Sequence, residues 1–311
     1  MRLSYVLFLI MMGLGPAVTI SSSNWITSWI GLELMFLGTI PLLFSESNFF
    51  SLSKESAMKY FCIQALSSAL MMFSGILLYL GYMSIWIFYF VFMMSLFMKL
   101  GIFPMHFWVP SVVSGLHWVP IFFILVWQKI PPLAIVKNFC ENFDWFPPYI
   151  LILGGLSALV GSLIGMNQTS FRAMLGGSSI AHTGWACFGA TFGGLWIYFL
   201  VYSVTFFFLM ISCFLMDYLM TSILVLSLSG IPPFTMFIGK WSIMKMTLSN
   251  DLWYMYIILP IFGAILSLFF YLKFFYSFYL KFISSLSKMK YSLVAGLIFL
   301  LISGVMFIVL F

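Results

Sequence analysis

A chain of 311 residues that is 64% hydrophobic and only 6% charged cannot coat a water-soluble surface, since soluble globular chains carry about 25% charged residues. Lipid is therefore its main solvent. The net charge of +6 comes from basic residues that are scattered or sit between apolar runs, so charge asymmetry across a membrane accounts for it and no nucleic-acid partner is implied.

Backbone groups in hydrocarbon need internal partners, which leaves helices or a closed barrel. The apolar runs are continuous and about 18–25 residues long, which is helix length, whereas barrel strands alternate polar and apolar residues. Eleven spans are expected, at roughly 3–20, 24–44, 57–80, 84–116, 118–138, 149–166, 169–190, 195–217, 222–248, 252–281 and 291–311.

Arg2 before the first apolar run would suit a signal peptide, but spans follow almost without pause, so a first transmembrane helix is the better reading. Within it, Gly13-Leu14-Gly15 lacks the third glycine of a dinucleotide fingerprint, Val18 standing there. Span two carries Glu33 about nine residues in, some 14 Å deep at helical rise. The longest loops are Ser45–Ser56 and Phe139–Pro148, and no stretch is long and polar enough for a soluble domain. Lys59, at a span end, is expected to snorkel. Lys54, Lys281, Lys288 and Lys290 read as loop charges. Gly161, Gly165, Gly189 and Gly193 read as helix-packing positions. Cys62, Cys140, Cys187 and Cys213 are far apart, with no spacing for zinc or an iron–sulfur cluster.

Spans four and nine are too long and are interrupted, by Gly101-Ile102-Phe103-Pro104 and by Gly230-Ile231-Pro232-Pro233. Proline removes an N–H and clashes with the preceding turn, so both helices should break. The two breaks share Gly-Ile-x-Pro and lie five spans apart, and an odd offset inverts the second copy. Paired broken helices in an inverted repeat mark transporters; two unrelated proline kinks are the other reading.

Ionisable residues inside the spans are few, and each costs about 2.5–3.5 kcal/mol at bilayer depth. Glu33, Lys99 before the first break, Lys129 midway through span five, Lys240 after the second break, and His182 central in span seven are the deep ones; His106 and His117 flank the far half of span four. A buried lysine suits proton handling, because desolvation disfavours the ammonium and a nearby carboxylate restores it. Glu33 is the only deep acidic residue, so Lys99 is its natural counter-ion. That pair has a structural reading too, as an ion pair holding two helices together. Lys129 and Lys240 have no deep carboxylate left to match them. His182 fits a proton relay or a helix-to-helix hydrogen bond equally well.

At these residues the chain resembles the mitochondrial NADH-ubiquinone oxidoreductase chain 2 family. Trp29-Ile30-Gly31-Leu32-Glu33-Leu34 is similar to its glutamate-bearing segment, and Lys59-Tyr60-Phe61-x-x-Gln64-Ala65 to the start of its next helix. Four further runs are more specific. They are Lys99-Leu100-Gly101-x-x-Pro104-x-His106-Phe107-Trp108-Val109-Pro110, Trp127-Gln128-Lys129-Ile130-x-Pro132-Leu133, Asn167-Gln168-Thr169-Ser170-x-Arg172, and Ser178-Ser179-Ile180-Ala181-His182-x-Gly184-Trp185. The last is Gly230-Ile231-Pro232-Pro233 with Phe237-x-x-Lys240-Trp241. The matches stand in order from residue 29 to 241, and the final spans carry none.

The resemblance implies an all-α, polytopic, antiporter-like fold of two inverted five-helix repeats, each with a broken helix. These would cover about 3–138 and 149–281 of a single transmembrane domain, with a C-terminal helix at about 291–311. It implies a hydrated axis in which Glu33 and Lys99 are the coupling pair, Lys129 the connecting lysine and Lys240 the exit lysine. His182 and His106 join them as proton-transfer groups. NADH, FMN, iron–sulfur clusters and ubiquinone would belong to other complex I subunits, and no cofactor to this chain. The neighbours would be other antiporter-like chains and membrane lipids, in the mitochondrial inner membrane. The chain would begin at the fourth helix of the full antiporter-like subunit. It departs from the family at Ala173, where lysine is usual, and at Leu175-Gly176-Gly177, where Leu-Ala-Tyr is usual. A proton-pumping subunit of a redox complex is the favoured reading; a stand-alone cation/proton antiporter and a purely structural membrane subunit are the alternatives.

Overall fold

The apolar runs fold as helices throughout: no strand occurs among the described residues of the computed structural model, which are 3–44, 51–81, 85–232, 234–249 and 254–284. The chain forms two compact units, Met1–Pro147 and Pro148–Phe311. The first holds α1 (Leu3–Ser21), α2 (Trp25–Phe44), α3 (Ser51–Tyr79), α4 (Ile85–Leu100), α5 (Trp108–Ser114), α6 (Trp118–Leu125) and α7 (Ile130–Asn142). Nearly all of α8 (Phe146–Asn167) belongs to the second. There it is followed by α9 (Phe171–Phe192), α10 (Leu195–Phe214), α11 (Tyr218–Ser229), α12 (Thr235–Leu248) and α13 (Ile258–Ser284).

Six segments among the described residues are long and apolar enough to cross a membrane: Trp25–Phe44, Leu52–Tyr79, Trp118–Asn142, Phe146–Asn167, Leu195–Phe214 and Met255–Ser284. Val6–Ser21, Trp86–Leu100 and Tyr218–Ser229 are apolar but shorter. This is a multi-pass membrane architecture. Large side chains such as Phe73, Trp86, Phe90 and Phe262 point outward from it, as a lipid solvent allows.

Several sequence expectations are corrected. The Ser45–Ser56 loop is shorter than expected, because α3 already begins at Ser51; its residues 45–50 lie outside the described residues. Phe139–Pro148 is mostly helix, from α7 up to Asn142 and α8 from Phe146. Lys54 and Lys281 are therefore helical rather than loop charges. Lys59 pairs with Glu55 one turn away, at 2.6 Å, which a snorkelling argument did not supply. Gly193 sits in the turn between α9 and α10 and is not a packing position. Span eleven, Arg2, Lys288, Lys290 and Pro233 lie outside the described residues.

A third interruption was not anticipated. Span five divides into α6 and α7 through a 3-10 turn at Trp127–Lys129. Pro131 and Pro132 cannot donate to the carbonyls of Trp127 and Gln128, four residues back. The Ile130 N–H bonds the Trp127 carbonyl instead, tightening the turn.

In the second unit, glycine lets α8 lie against α9 and α13. A side chain at Gly161 would meet the Ala181 backbone nitrogen at 2.6 Å, and one at Gly263 the Ala158 backbone at 2.7 Å. Gly177, one of the departures from the family pattern, faces the Gly165 backbone nitrogen, 2.8 Å from where its Cβ would stand. The lost helix propensity there is exchanged for close approach.

Candidate functional site

In each unit a helix ends at a glycine of positive φ close to one of the expected lysines. In the first unit, α4 ends at Gly101, whose φ is +70°. Its N–H and that of Ile102 both donate to the Phe97 carbonyl, at 2.9 and 3.0 Å. The next freed carbonyl, of Met98, accepts from the Trp108 indole N–H at 2.9 Å. The interrupted backbone is thus satisfied by protein, as the membrane interior demands.

Lys99 lies in the last turn of α4, where the helix dipole favours a cation. Its Nζ stands 3.4 Å from Glu33 Oε1 on α2. The lysine side chain is 4% exposed and the carboxylate side chain 20%. The pair expected from the sequence is therefore formed, with the acid at the more accessible end. A small cavity opens beside it, lined by Leu32, Phe36, Tyr60, Gln64, Lys99 and Gln128 among others.

Polar residues from three helical segments brace that cavity. The Tyr60 hydroxyl on α3 donates to Gln128 Oε1. Gln128 Nε2 donates to Thr39 Oγ1 on α2 at 2.7 Å, and Thr39 donates to the Phe36 carbonyl at 2.8 Å. Lys129 follows Gln128 in the 3-10 turn and is buried, but it does not line the cavity. His106 lies in the segment after the break, buried, with its ring centroid 4.1 Å from that of Phe107 and 5.7 Å from that of Phe103. Neither of its ring nitrogens has a well-formed hydrogen bond. His117 stands at the start of α6.

In the second unit, α11 ends at Gly230 with φ +76°. Lys240 on α12 reaches back to this end and donates to the Ser229 carbonyl at 2.7 Å. Its Nζ also lies 5.9 Å from the centre of the Trp185 ring. His182, one turn before Trp185 on α9, is held between two phenols. Its Nδ1 is 2.8 Å from the Tyr198 hydroxyl and its Nε2 3.1 Å from the Tyr271 hydroxyl. Neutral imidazole offers one donor and one acceptor, and hydroxyls can answer both. Tyr198 also packs where a Gly239 side chain would stand, at 3.0 Å, so Trp185 and Tyr198 bring His182 and Lys240 into one neighbourhood.

Residues 22–222 match the model of the transmembrane family of NADH:quinone oxidoreductases and Mrp antiporters. The chain belongs to this family. The matched residues include Glu33, Lys99, Lys129 and His182 and stop short of Lys240. Among curated relatives, the NADH-ubiquinone oxidoreductase chain 2 of Albinaria caerulea is 37% identical over 88% of this chain and 89% of its own. That of Anopheles gambiae is 36% identical over 89% of this chain and 86% of its own. A chain of respiratory complex I from Thermus thermophilus has the same fold, with a TM-score of 0.81 at 20% identity, covering 99% of this chain and 80% of that one. A chain of the Mrp complex from Dietzia sp. DQ12-45-1b aligns with a TM-score of 0.77 at 15% identity, over 86% of this chain and 59% of that one. The fold of the family is therefore antiporter-like.

Sequence reasoning missed most of the uncharged partners. Gln64 and Gln128 were visible as polar residues in apolar spans, and both fall in the family motifs. Tyr198 and Tyr271 had no such signal, being two among 15 tyrosines and 38 phenylalanines. Among the described residues, no three His, Cys, Asp or Glu side chains gather as a metal site.

Proposed function

We propose that this chain is the proton-translocating core membrane subunit of respiratory complex I, the NADH:ubiquinone reductase that translocates protons. The observation that carries the reading is the Lys99–Glu33 pair at the end of a broken helix, in a chain whose curated relatives bear that enzyme's name. Glu33 favours the Lys99 ammonium, and drawing the two apart releases a proton. Lys129 takes the connecting role and Lys240 the exit role, while His182 and His106 pass protons between waters and hydroxyls. The chain does no bond chemistry. NADH, FMN, iron–sulfur clusters and ubiquinone are held by partner subunits, with neighbouring antiporter-like chains and lipid against its outer faces.

The architecture proposed is a single antiporter-like transmembrane domain of eleven spans, with inverted repeats at about 3–138 and 149–281 and a last helix at about 291–311. The matching glycine helix ends, with φ +70° and +76°, support the repeat. Mild detergent extraction tests the function. The chain is expected to leave the membrane only within a large NADH-oxidising assembly. A small, separable species exchanging cations for protons without NADH would make it a stand-alone antiporter.

Alternate crossings put Arg2, Lys54, Arg172, Lys281, Lys288 and Lys290 on one side of the inner membrane, leaving mainly Lys137 and Lys245 near the other. The positive-inside bias then puts the N-terminus in the matrix and the C-terminus in the intermembrane space. Terminal tags in intact mitoplasts should be protease-sensitive at the C-terminus alone; both cut together would contradict the eleven spans.

A further inference from the structure

The cavity beside Lys99 has an unbalanced set of polar groups. An ammonium has three donors, and Lys99 places one on Glu33, its one hydrogen-bond partner among the described residues. Gln64 is 5% exposed, and its Nε2 has no partner among the described residues. Gln128, the other amide in the wall, has both ends occupied, accepting from Tyr60 and donating to Thr39. The Tyr60 hydroxyl has spent its hydrogen on Gln128, and its oxygen, which also meets the Thr39 hydroxyl, keeps one further position able to accept. The wall thus offers spare donors on Lys99 and Gln64 and a spare acceptor on Tyr60. Burying such donors bare is costly.

The space admits a water molecule. Measured to the centre of a water molecule, the cavity is about 20 Å³, enough for a single water. The adjacent Lys99–Glu33 pair has no net charge, so nothing there calls for an anion. We infer that the cavity is an ordered-water site in which Gln64 positions one water against Lys99. The water accepts hydrogen bonds from the Lys99 ammonium and the Gln64 amide and donates to Tyr60 oxygen, which gives it the two to four polar partners a buried water needs.

The inference rests on the proton-translocating reading and deepens it. A lysine that parts from its carboxylate inside a membrane would lose the one hydrogen-bond partner it has among the described residues. With the water in place, Lys99 keeps one while Glu33 moves. Gln64 is thus a positioning residue: it touches the water and acts on Lys99 through it. The Tyr60–Gln128–Thr39 chain keeps the cavity open by tying α2, α3 and the 3-10 turn together.

The test uses the intact assembly. A high-resolution map should show density within hydrogen-bond reach of both Gln64 Nε2 and Lys99 Nζ. An empty cavity, in a map that resolves other buried waters, overturns the inference. Gln64→Met keeps the length and loses the amide, and the rate of proton uptake in reconstituted vesicles should fall about two- to ten-fold, the scale of one lost neutral hydrogen bond. Gln64→Asn, which retains an amide and leaves room for the water to follow it, should recover most of that loss. A purely structural role would make both variants fail alike in assembly. Lys99→Met separates the two levels. If it abolishes pumping while Gln64→Met pumps normally, this inference falls and the function stands; if Lys99→Met pumps normally, the function falls first.

Discussion

Replacing Lys99 by Met is expected to abolish proton uptake while leaving the assembly intact. Lys99 is buried in the last turn of α4, 3.4 Å from Glu33. Methionine keeps much of its length and bulk, so little packing is lost. It also removes a charge whose insertion costs about 2.5–3.5 kcal/mol at bilayer depth. Against this stands the abandoned Glu33, since breaking a fully buried pair costs about 3–5 kcal/mol. The glutamate side chain, however, is 20% exposed and keeps part of its hydration. The two effects nearly offset, and the yield of intact complex should stay close to wild type. Proton uptake and NADH oxidation in reconstituted vesicles, measured beside that yield, give the answer. A structural ion pair would show the reverse pattern, with poor assembly and normal pumping in whatever assembled. Adding Glu33→Gln to Lys99→Met should restore any lost yield without restoring pumping. Wild-type pumping by a fully assembled Lys99→Met complex would refute the central claim.

Gly230→Val is expected to damage both yield and pumping. At φ +76°, a β-branched residue is strained by about 1–3 kcal/mol. Its Cβ would also stand 2.9–3.1 Å from Cδ, Nζ and Cε of Lys240. The lysine must then leave the Ser229 carbonyl, forfeiting a charge-assisted hydrogen bond worth about 1.5–3 kcal/mol. Gly13→Val is the control, because a Cβ at Gly13 meets nothing within 4 Å. The measurements are complex yield after heating and proton uptake. Gly230→Ala should fall between, with the same hand of strain and less bulk. Unchanged uptake in Gly230→Val would show that Lys240 does not need the end of α11.

Glu33 and Lys99 were legible as partners because a membrane interior tolerates so few charges that depth alone nearly matches them. The breaks at Pro104 and Pro232 were legible because proline lacks a donor wherever it stands. The 3-10 turn at Trp127–Lys129 was missed although Pro131 and Pro132 carry the same signal. Its surrounding apolar run has ordinary span length, so nothing in the length betrayed the interruption. Lys129 is consequently presented from a turn rather than from a regular helix.

What the sequence by itself determined was the solvent, the helical class and the short roster of membrane charges. Those follow from composition, run length and the energy of burying a charge, none of which depends on how helices pack. Tertiary structure decided which uncharged groups serve those charges. A tyrosine reads as one more apolar aromatic until two of them, Tyr198 and Tyr271, close on the two nitrogens of His182. Gln64 and Gln128 look alike in sequence, yet Gln128 is saturated by Tyr60 and Thr39 while Gln64 keeps a free amide beside Lys99. The reason is geometric: hydrogen bonds are satisfied over about 3 Å, and residues 60 and 128, or 182 and 271, come that close only when separate helices cross.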